Sequence, residues 1–163
     1  MTWIKGRARR LRDNRCLRRF RPHPVTIARA AMPPEPPLDA AAIARLVDRF
    51  YDRVRVDPLL GPVFNAAVDD WDAHKRLLAS FWCSVALRAG SYRGNPMAAH
   101  RPHPIRAEHF EHWLALWQDT AQSVLPAAHA ALLVDYARRI GSSLRYGLGL
   151  EASRPLGLPV VHG

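Results

Sequence analysis

The sequence predicts an all-α domain. Apolar residues recur with the 3.6-residue period of a helix through most of the chain after residue 38, and no segment alternates as a strand does. Proline and glycine pairs separate the helical stretches, as short connections require. With 163 residues, 48% of them hydrophobic, the chain is long enough for one buried core and too short for two ordinary domains.

Positive charge is concentrated at the N terminus. Residues 1–31 hold ten Lys or Arg and one acid, so they carry +9 of the net charge of +10. The remaining chain is close to neutral, and its charge therefore does not point to a polyanionic partner. We divide the chain into a basic leader at 1–38, expected to be disordered, a helical domain at 39–148 and a frayed C-terminal tail at 149–163.

Three interpretations of the leader remain open. Arg29 interrupts its best apolar run, at 25–32, which counts against a secretory signal. Clustered arginines are typical of an arm that binds nucleic acid. Met32 directly precedes the proline run, so the third interpretation is that residues 1–31 are an upstream extension absent from the functional protein.

The expected setting is cytoplasmic, without membrane insertion. The chain has no uncharged apolar run of about eighteen residues or more, the length needed to cross a bilayer. Its two cysteines, Cys16 and Cys83, form neither a CxxC pair nor the CxxCH motif of covalent haem attachment. A reducing compartment is therefore the natural expectation.

The first helix is expected to begin after Asp39, because Asp is a favourable N-cap and an apolar stripe follows at helical spacing as far as Val54. Two proline-containing pairs then stop the helix. They predict a compact turn carrying Val63 and Phe64, and the pairs are Asp57-Pro58 and Gly61-Pro62.

Three further long helices and one short helix follow. The second long helix is expected to be capped near Asp69 or Asp70 and to reach Val85. Residues 88–95 are predicted to form a loop. Asn95-Pro96 is typical of an N-cap and first helical position, and it opens a short helix that reaches His100. The third long helix covers about 106–124, and the fourth runs from Pro126 to near Gly147.

Four polar side chains lie where the pattern predicts dry surfaces. Tyr51, His74 and Trp113 fall on apolar stripes, and His100 ends a helix too short to contribute much packing. Each one alone is typical of a core residue whose polar atom is satisfied. Together, an imidazole at the end of a short helix and several hydrogen-bonding groups on other helices indicate a bundle that encloses a metal cofactor.

A zinc site is the competing interpretation. The pairs His100-x-x-His103 and His109-x-x-His112 have spacings that suit zinc. Prolines at 102 and 104 break the backbone between the pairs, and no cysteine is near. We therefore expect His103, His109 and His112 to be surface residues.

Several strings in this domain resemble those of the group III truncated haemoglobins, over about residues 40–148. These bacterial globins are two-over-two helical sandwiches around a non-covalent haem b. The strings are Phe50-Tyr51, DPLLGPVFN at 57–65, Trp71-Asp72-Ala73-His74, Phe81-Trp82, YRGNPMAAH at 92–100 and Phe110-x-x-Trp113-Leu114.

The resemblance implies a role for each matching residue. His100 corresponds to the iron ligand, and Tyr51, Trp113 and His74 correspond to the distal residues that stabilise or admit the bound ligand. The haem pocket that the resemblance implies is formed by Phe50, Phe64, Leu78, Phe81, Met97, Ile105 and Phe110.

The function implied is binding of oxygen and other diatomic ligands at a five-coordinate haem. Redox turnover, as in a nitric oxide dioxygenase or a peroxidase-like enzyme, would need a separate reductase, because the chain has no flavin or nicotinamide fingerprint. The alternative is a haem-free helical module that binds nucleic acid through the Arg-rich leader.

Overall fold

Six helices make up the part of the chain that the structure describes. The computed structural model describes residues 35–150, so most of the predicted leader and tail lies outside the described residues. Between residues 35 and 150 there is no strand, which confirms the all-α prediction, and no helix long and apolar enough to span a bilayer. The helices are α1 Ala40–Val56, α2 Gly61–Ala67, α3 Trp71–Ala86, α4 Pro96–His100, α5 Ala107–Val124 and α6 Ala127–Gly147.

Side-chain caps fix the starts of three helices. An Asp or Asn oxygen accepts a hydrogen bond from the backbone N–H three residues later, which satisfies one of the amides left free in a first helical turn. This contact confirms the predicted starts of α1, α3 and α4. The three bonds run from Ala42 to Asp39 at 2.7 Å, from Ala73 to Asp70 at 2.9 Å and from Ala98 to Asn95 at 3.1 Å.

The segment predicted as a compact turn around Phe64 is instead the seven-residue helix α2. The Asp57 carboxylate forms the turn before it by accepting the backbone N–H groups of Leu59 and Leu60, both at 2.9 Å. Pro62 then occupies the first turn of α2, where its missing N–H is not needed. A Cβ at Gly61 would lie 3.0 Å from the Arg55 carbonyl oxygen, so glycine permits this close return of the chain.

The long helices pack in two pairs. Helix α1 lies against α3, α5 lies against α6, and α1 also contacts α5, which joins the pairs into the two-over-two sandwich. Short α4 contacts α6. The fully buried side chains at the centre come mainly from α1, with Trp117 from α5 and Leu133 from α6, and those of α1 are Ile43, Leu46, Val47, Phe50 and Val54.

Polar contacts hold α1 in register with its neighbours. Lys75 of α3 reaches Asp48 and Asp52, one helical turn apart on α1, at 2.7 and 2.6 Å. Beyond the end of α1, Asp57 bonds the His112 imidazole of α5 at 2.7 Å. These contacts set how α1 faces α3 and α5, the helices that carry the candidate site.

Candidate functional site

A largely apolar cavity of about 330 Å³ lies between the helices. Its volume is in the range of about 300–1,000 Å³ usual for small-molecule and cofactor sites. Nine of the residues predicted for the site line it. They are Tyr51, Phe64, His74, Leu78, Phe81, His100, Ile105, Phe110 and Trp113.

Two residues predicted for the pocket lie away from its wall. Phe50 is fully buried and stands edge-on behind Tyr51 and Trp113, with ring centroids 4.9 and 5.2 Å away, so it supports wall residues without facing the cavity. Met97 lies under Gly147 of α6, whose missing side chain leaves room for the thioether. The sequence strings identified both as neighbours of site residues but did not show which way they face.

The His100 imidazole is held in one tautomer by its own helix. Its Nδ1 lies 2.6 Å from the carbonyl oxygen of Pro96, which can only accept a hydrogen bond. In a neutral imidazole Nδ1 therefore carries the proton, and Nε2 keeps a free lone pair. The ring also stacks on Phe110, with centroids 6.3 Å apart and planes at 22°. A fixed imidazole with its other nitrogen bonded to a backbone carbonyl is the usual arrangement of a metal-binding histidine.

Tyr51, His74 and Trp113 bring polar atoms to the cavity from three helices. Tyr51 is 3% exposed, and burial raises its pKa well above the ordinary value, while the Trp113 indole opposes part of that rise. The phenol therefore keeps its proton at physiological pH. Burial, and to a smaller extent the electrostatic influence of His100, lowers the pKa of His74. The His74 ring is consequently neutral near pH 7.

One buried nitrogen of this group has no partner. His74 Nε2 makes no hydrogen bond with any residue in 35–150, although it is shielded from solvent and its side chain lines the cavity. A desolvated polar atom without a partner is unfavourable by about 1–3 kcal/mol. The arrangement is accounted for if a ligand in the cavity supplies that partner.

A stack of tryptophans makes the wall behind these groups rigid. Trp113 and Trp117 are parallel, with centroids 5.4 Å apart and planes at 7°. Trp117 in turn stacks on Trp82 of α3 at 4.5 Å and donates its indole N–H to the carbonyl of Leu133. The orientation of Trp113 is therefore set by packing that extends across α5, α3 and α6.

The prediction of three surface histidines was wrong for His109. His109 is 6% exposed and lines the cavity, and His103 lines it while half-buried. His112 is half-buried against Asp57. His109 is the third residue of α5, and its Nδ1 accepts a hydrogen bond from the backbone N–H of Arg106 at the start of the helix.

The residues present fit a haem better than a zinc ion. Across residues 35–150, no three His, Cys, Asp or Glu side chains lie together as zinc would require. One imidazole with a free lone pair, at the edge of a mostly apolar cavity, is instead what a non-covalent haem needs from the protein. His100 would hold the iron, and aromatic and aliphatic side chains such as Phe64, Leu78 and Phe110 would contact the porphyrin.

Comparison with known proteins places the chain among globins. The model of the family described as bacterial-like globin matches residues 39–135. The chain is 33% identical over 110 residues to the group 3 truncated haemoglobin ctb of Campylobacter jejuni, covering 64% of this chain and 87% of that protein. It is also 33% identical over 85 residues to the group 2 truncated haemoglobin YjbI of Bacillus subtilis, covering 50% of this chain and 64% of that protein.

Two solved haemoglobin structures have folds similar to that of this chain. The crystal structure of a group III truncated haemoglobin from Campylobacter jejuni superposes with a TM-score of 0.66 at 32% identity, covering 70% of this chain and 94% of that one. A thermostable haemoglobin of the actinobacterium Thermobifida fusca gives a TM-score of 0.54 at 24% identity, with 64% and 89% covered, and this likeness concerns the fold alone. The predicted truncated-globin fold is thereby confirmed.

Proposed function

This chain belongs to the bacterial-like globin family, and we propose that its cavity binds haem b non-covalently, with His100 as the iron ligand. The family implies globin-type binding of a haem and of diatomic ligands. The observation that carries the assignment of His100 is its hydrogen bond to the Pro96 carbonyl, which in a neutral imidazole leaves the lone pair of Nε2 free and fixes the ring at the cavity.

Oxygen is the ligand that this pocket favours. A haem held by His100 would supply an iron that can bind a diatomic ligand. Tyr51 keeps its proton and would donate a hydrogen bond to a ligand that carries partial negative charge, and such charge-assisted bonds are about twice as strong as neutral ones. His74, neutral and with its buried Nε2 unpartnered in residues 35–150, adds a further contact or controls entry to the cavity.

A pocket that holds oxygen strongly is better suited to a reaction of the bound oxygen than to its transport and release. We include redox turnover in the proposal, such as oxidation of nitric oxide or reduction of peroxide, with electrons from a separate reductase. A cytoplasmic setting is also part of the proposal, and it rests on cysteine usage: the spacing of Cys16 and Cys83 forms no disulfide framework.

An absorption spectrum of the purified full chain tests the function. We expect a strong Soret band that shifts on reduction and shifts again when carbon monoxide is added. A colourless protein that takes up no added haemin would contradict the haem proposal. Salt-sensitive binding of DNA or RNA by that colourless protein would support the alternative of a nucleic-acid-binding module.

A further inference from the structure

His109 is a buried imidazole to which the proposed function gives no role. It belongs to the first turn of α5, is 6% exposed and lines the cavity beside Phe110, the residue that stacks on His100.

The hydrogen bond at its inner nitrogen fixes the tautomer of His109. The backbone N–H of Arg106 donates to His109 Nδ1 at 3.1 Å. A backbone N–H can only donate, so Nδ1 must be unprotonated, and a neutral imidazole then carries its proton on Nε2. The contact that caps α5 therefore turns the other edge of the ring into a hydrogen-bond donor with a fixed direction.

This donor makes no hydrogen bond to residues 35–150, although the ring is almost completely buried. The residue that follows His109, Phe110, is apolar, as are most of the residues around the cavity. His109 Nε2 is not among the atoms of residues 35–150 that are completely shielded from solvent, so this donor stays open to a molecule that occupies the cavity.

We propose that His109 is a further haem-binding residue whose Nε2–H donates a hydrogen bond to a carboxylate of the porphyrin. This inference rests on the proposed function. The periphery of haem b offers methyl, vinyl and propionate groups, and only the two propionates are strong acceptors. An N–H bond to a carboxylate is charge-assisted, and the cap at Arg106 holds the donor in place before the ligand arrives.

Porphyrins without iron isolate this contact, because His100 then contributes no metal bond. We would titrate the apoprotein of the full chain with protoporphyrin IX and with its dimethyl ester. Binding is followed by quenching of tryptophan fluorescence, since Trp82 and Trp113 line the cavity. His109→Phe is compared with His112→Phe, which changes the same residue type on the same helix and also loses a hydrogen bond, but does not line the cavity.

The test compares, in each variant, the affinity for the diacid with the affinity for the dimethyl ester. We expect His109→Phe to bind the diacid about ten-fold or more weakly than the wild type does and to bind the ester as the wild type does. In His112→Phe the ratio of the two affinities should equal that of the wild type. If His109→Phe bound both porphyrins equally more weakly, His109 would only cap α5 and the inference would be wrong. Unchanged affinity for both porphyrins would also overturn it. If the wild-type chain takes up haemin but binds neither iron-free porphyrin, this inference fails and the haem proposal stands. If it does not take up haemin either, both fail.

A second measurement needs no variant and so does not depend on how well one folds. In wild-type protein labelled with ¹⁵N-histidine, the His109 Nε2–H proton is expected to move downfield with the diacid and not with the ester. The same position with both porphyrins would overturn the inference.

Discussion

The His74 imidazole stands edge-on against the ring of Tyr51, with centroids 5.5 Å apart and planes at 90°. Tyr51 belongs to α1 and His74 to α3, so the contact exists only while the two helices keep their register. Trp71, one turn before His74, stands edge-on to the same imidazole at 5.8 Å and restricts it from a second side. The polar groups of the cavity are therefore held by packing before any ligand binds.

Removing the Tyr51 hydroxyl should speed the release of oxygen from the haem-loaded protein. Tyr51→Phe keeps the ring and its contacts with Phe50 and Phe64 but loses the donor. A hydrogen bond to a charged group contributes about 1.5–3 kcal/mol, so the dissociation rate should rise by about 10–150-fold. Stopped-flow displacement of oxygen measures this rate.

Tyr92→Phe is the matched control for Tyr51→Phe, because Tyr92 also lines the cavity and packs on Phe81. We expect its dissociation rate to stay close to that of the wild type. Equal rates for Tyr51→Phe and the wild type would remove Tyr51 from ligand stabilisation.

A half-buried lysine forms ion pairs that join α1 and α3. Lys75 follows His74 directly, its side chain is 14% exposed, and it bridges Asp48 and Asp52. Lys75→Met removes two ion pairs whose lysine end is largely shielded but whose carboxylates are about half exposed or more, and it should lower the free energy of unfolding by about 1 kcal/mol. Urea denaturation of the apoprotein measures the change.

Arg139→Met provides the comparison for Lys75→Met. Arg139 pairs with Asp135 at 2.8 Å, but both side chains are more than half exposed, and such pairs contribute about 0.3–0.5 kcal/mol on a helix. If the two variants lost equal stability, shielding of Lys75 would have no special effect.

Periodicity and capping could be predicted from the sequence, because they depend on nearby residues. Asp39, Asp70 and Asn95 cap the helices expected of them, and the apolar stripe of α1 is buried as predicted. The orientation of Phe50 and the burial of His109 depend on packing between helices distant in sequence. A helical stripe about three residues wide cannot show which of its members faces a cavity and which faces the core.

Short segments were hardest to predict for a related reason. Proline and glycine around residue 61 gave the end of α1 correctly, yet the same residues also start α2, because proline is favourable in a first helical turn. The same proline and glycine residues are therefore compatible with a turn or with a helix at this point. The helix forms because Asp57 accepts the backbone N–H of Leu60 and the Leu60 side chain is buried.

Loss of the His100 side chain should abolish stable haem binding. His100→Gly leaves a gap at the end of α4, and free imidazole added to the buffer should restore the Soret band, because the surrounding cavity is intact. His103→Gly is the matched control, since His103 also lines the cavity, and it should retain haem without added imidazole. Retention of haem by His100→Gly alone would contradict the assignment of the iron ligand.

The Asp57 carboxylate should make stability depend on pH in the acid range. Burial alone would raise its pKa, but hydrogen bonds from His112, Leu60 and Leu59 outweigh burial and lower the pKa below the ordinary value of 3.8. The unfolded chain therefore binds the proton more readily, so the stabilisation is complete above pH 3.8 and is lost as the pH falls through the native pKa.

Asp57→Asn keeps an oxygen for the two backbone N–H groups but loses the charge that holds His112, and should be less stable at pH 7 by about 1–3 kcal/mol. Urea denaturation of the apoprotein at a series of pH values should show this difference shrinking on acidification, whereas Asp119→Asn, at an exposed pair with Arg53, should change stability little at any pH. A constant difference between wild type and Asp57→Asn down to acid pH would show that the charge of Asp57 does not stabilise the turn.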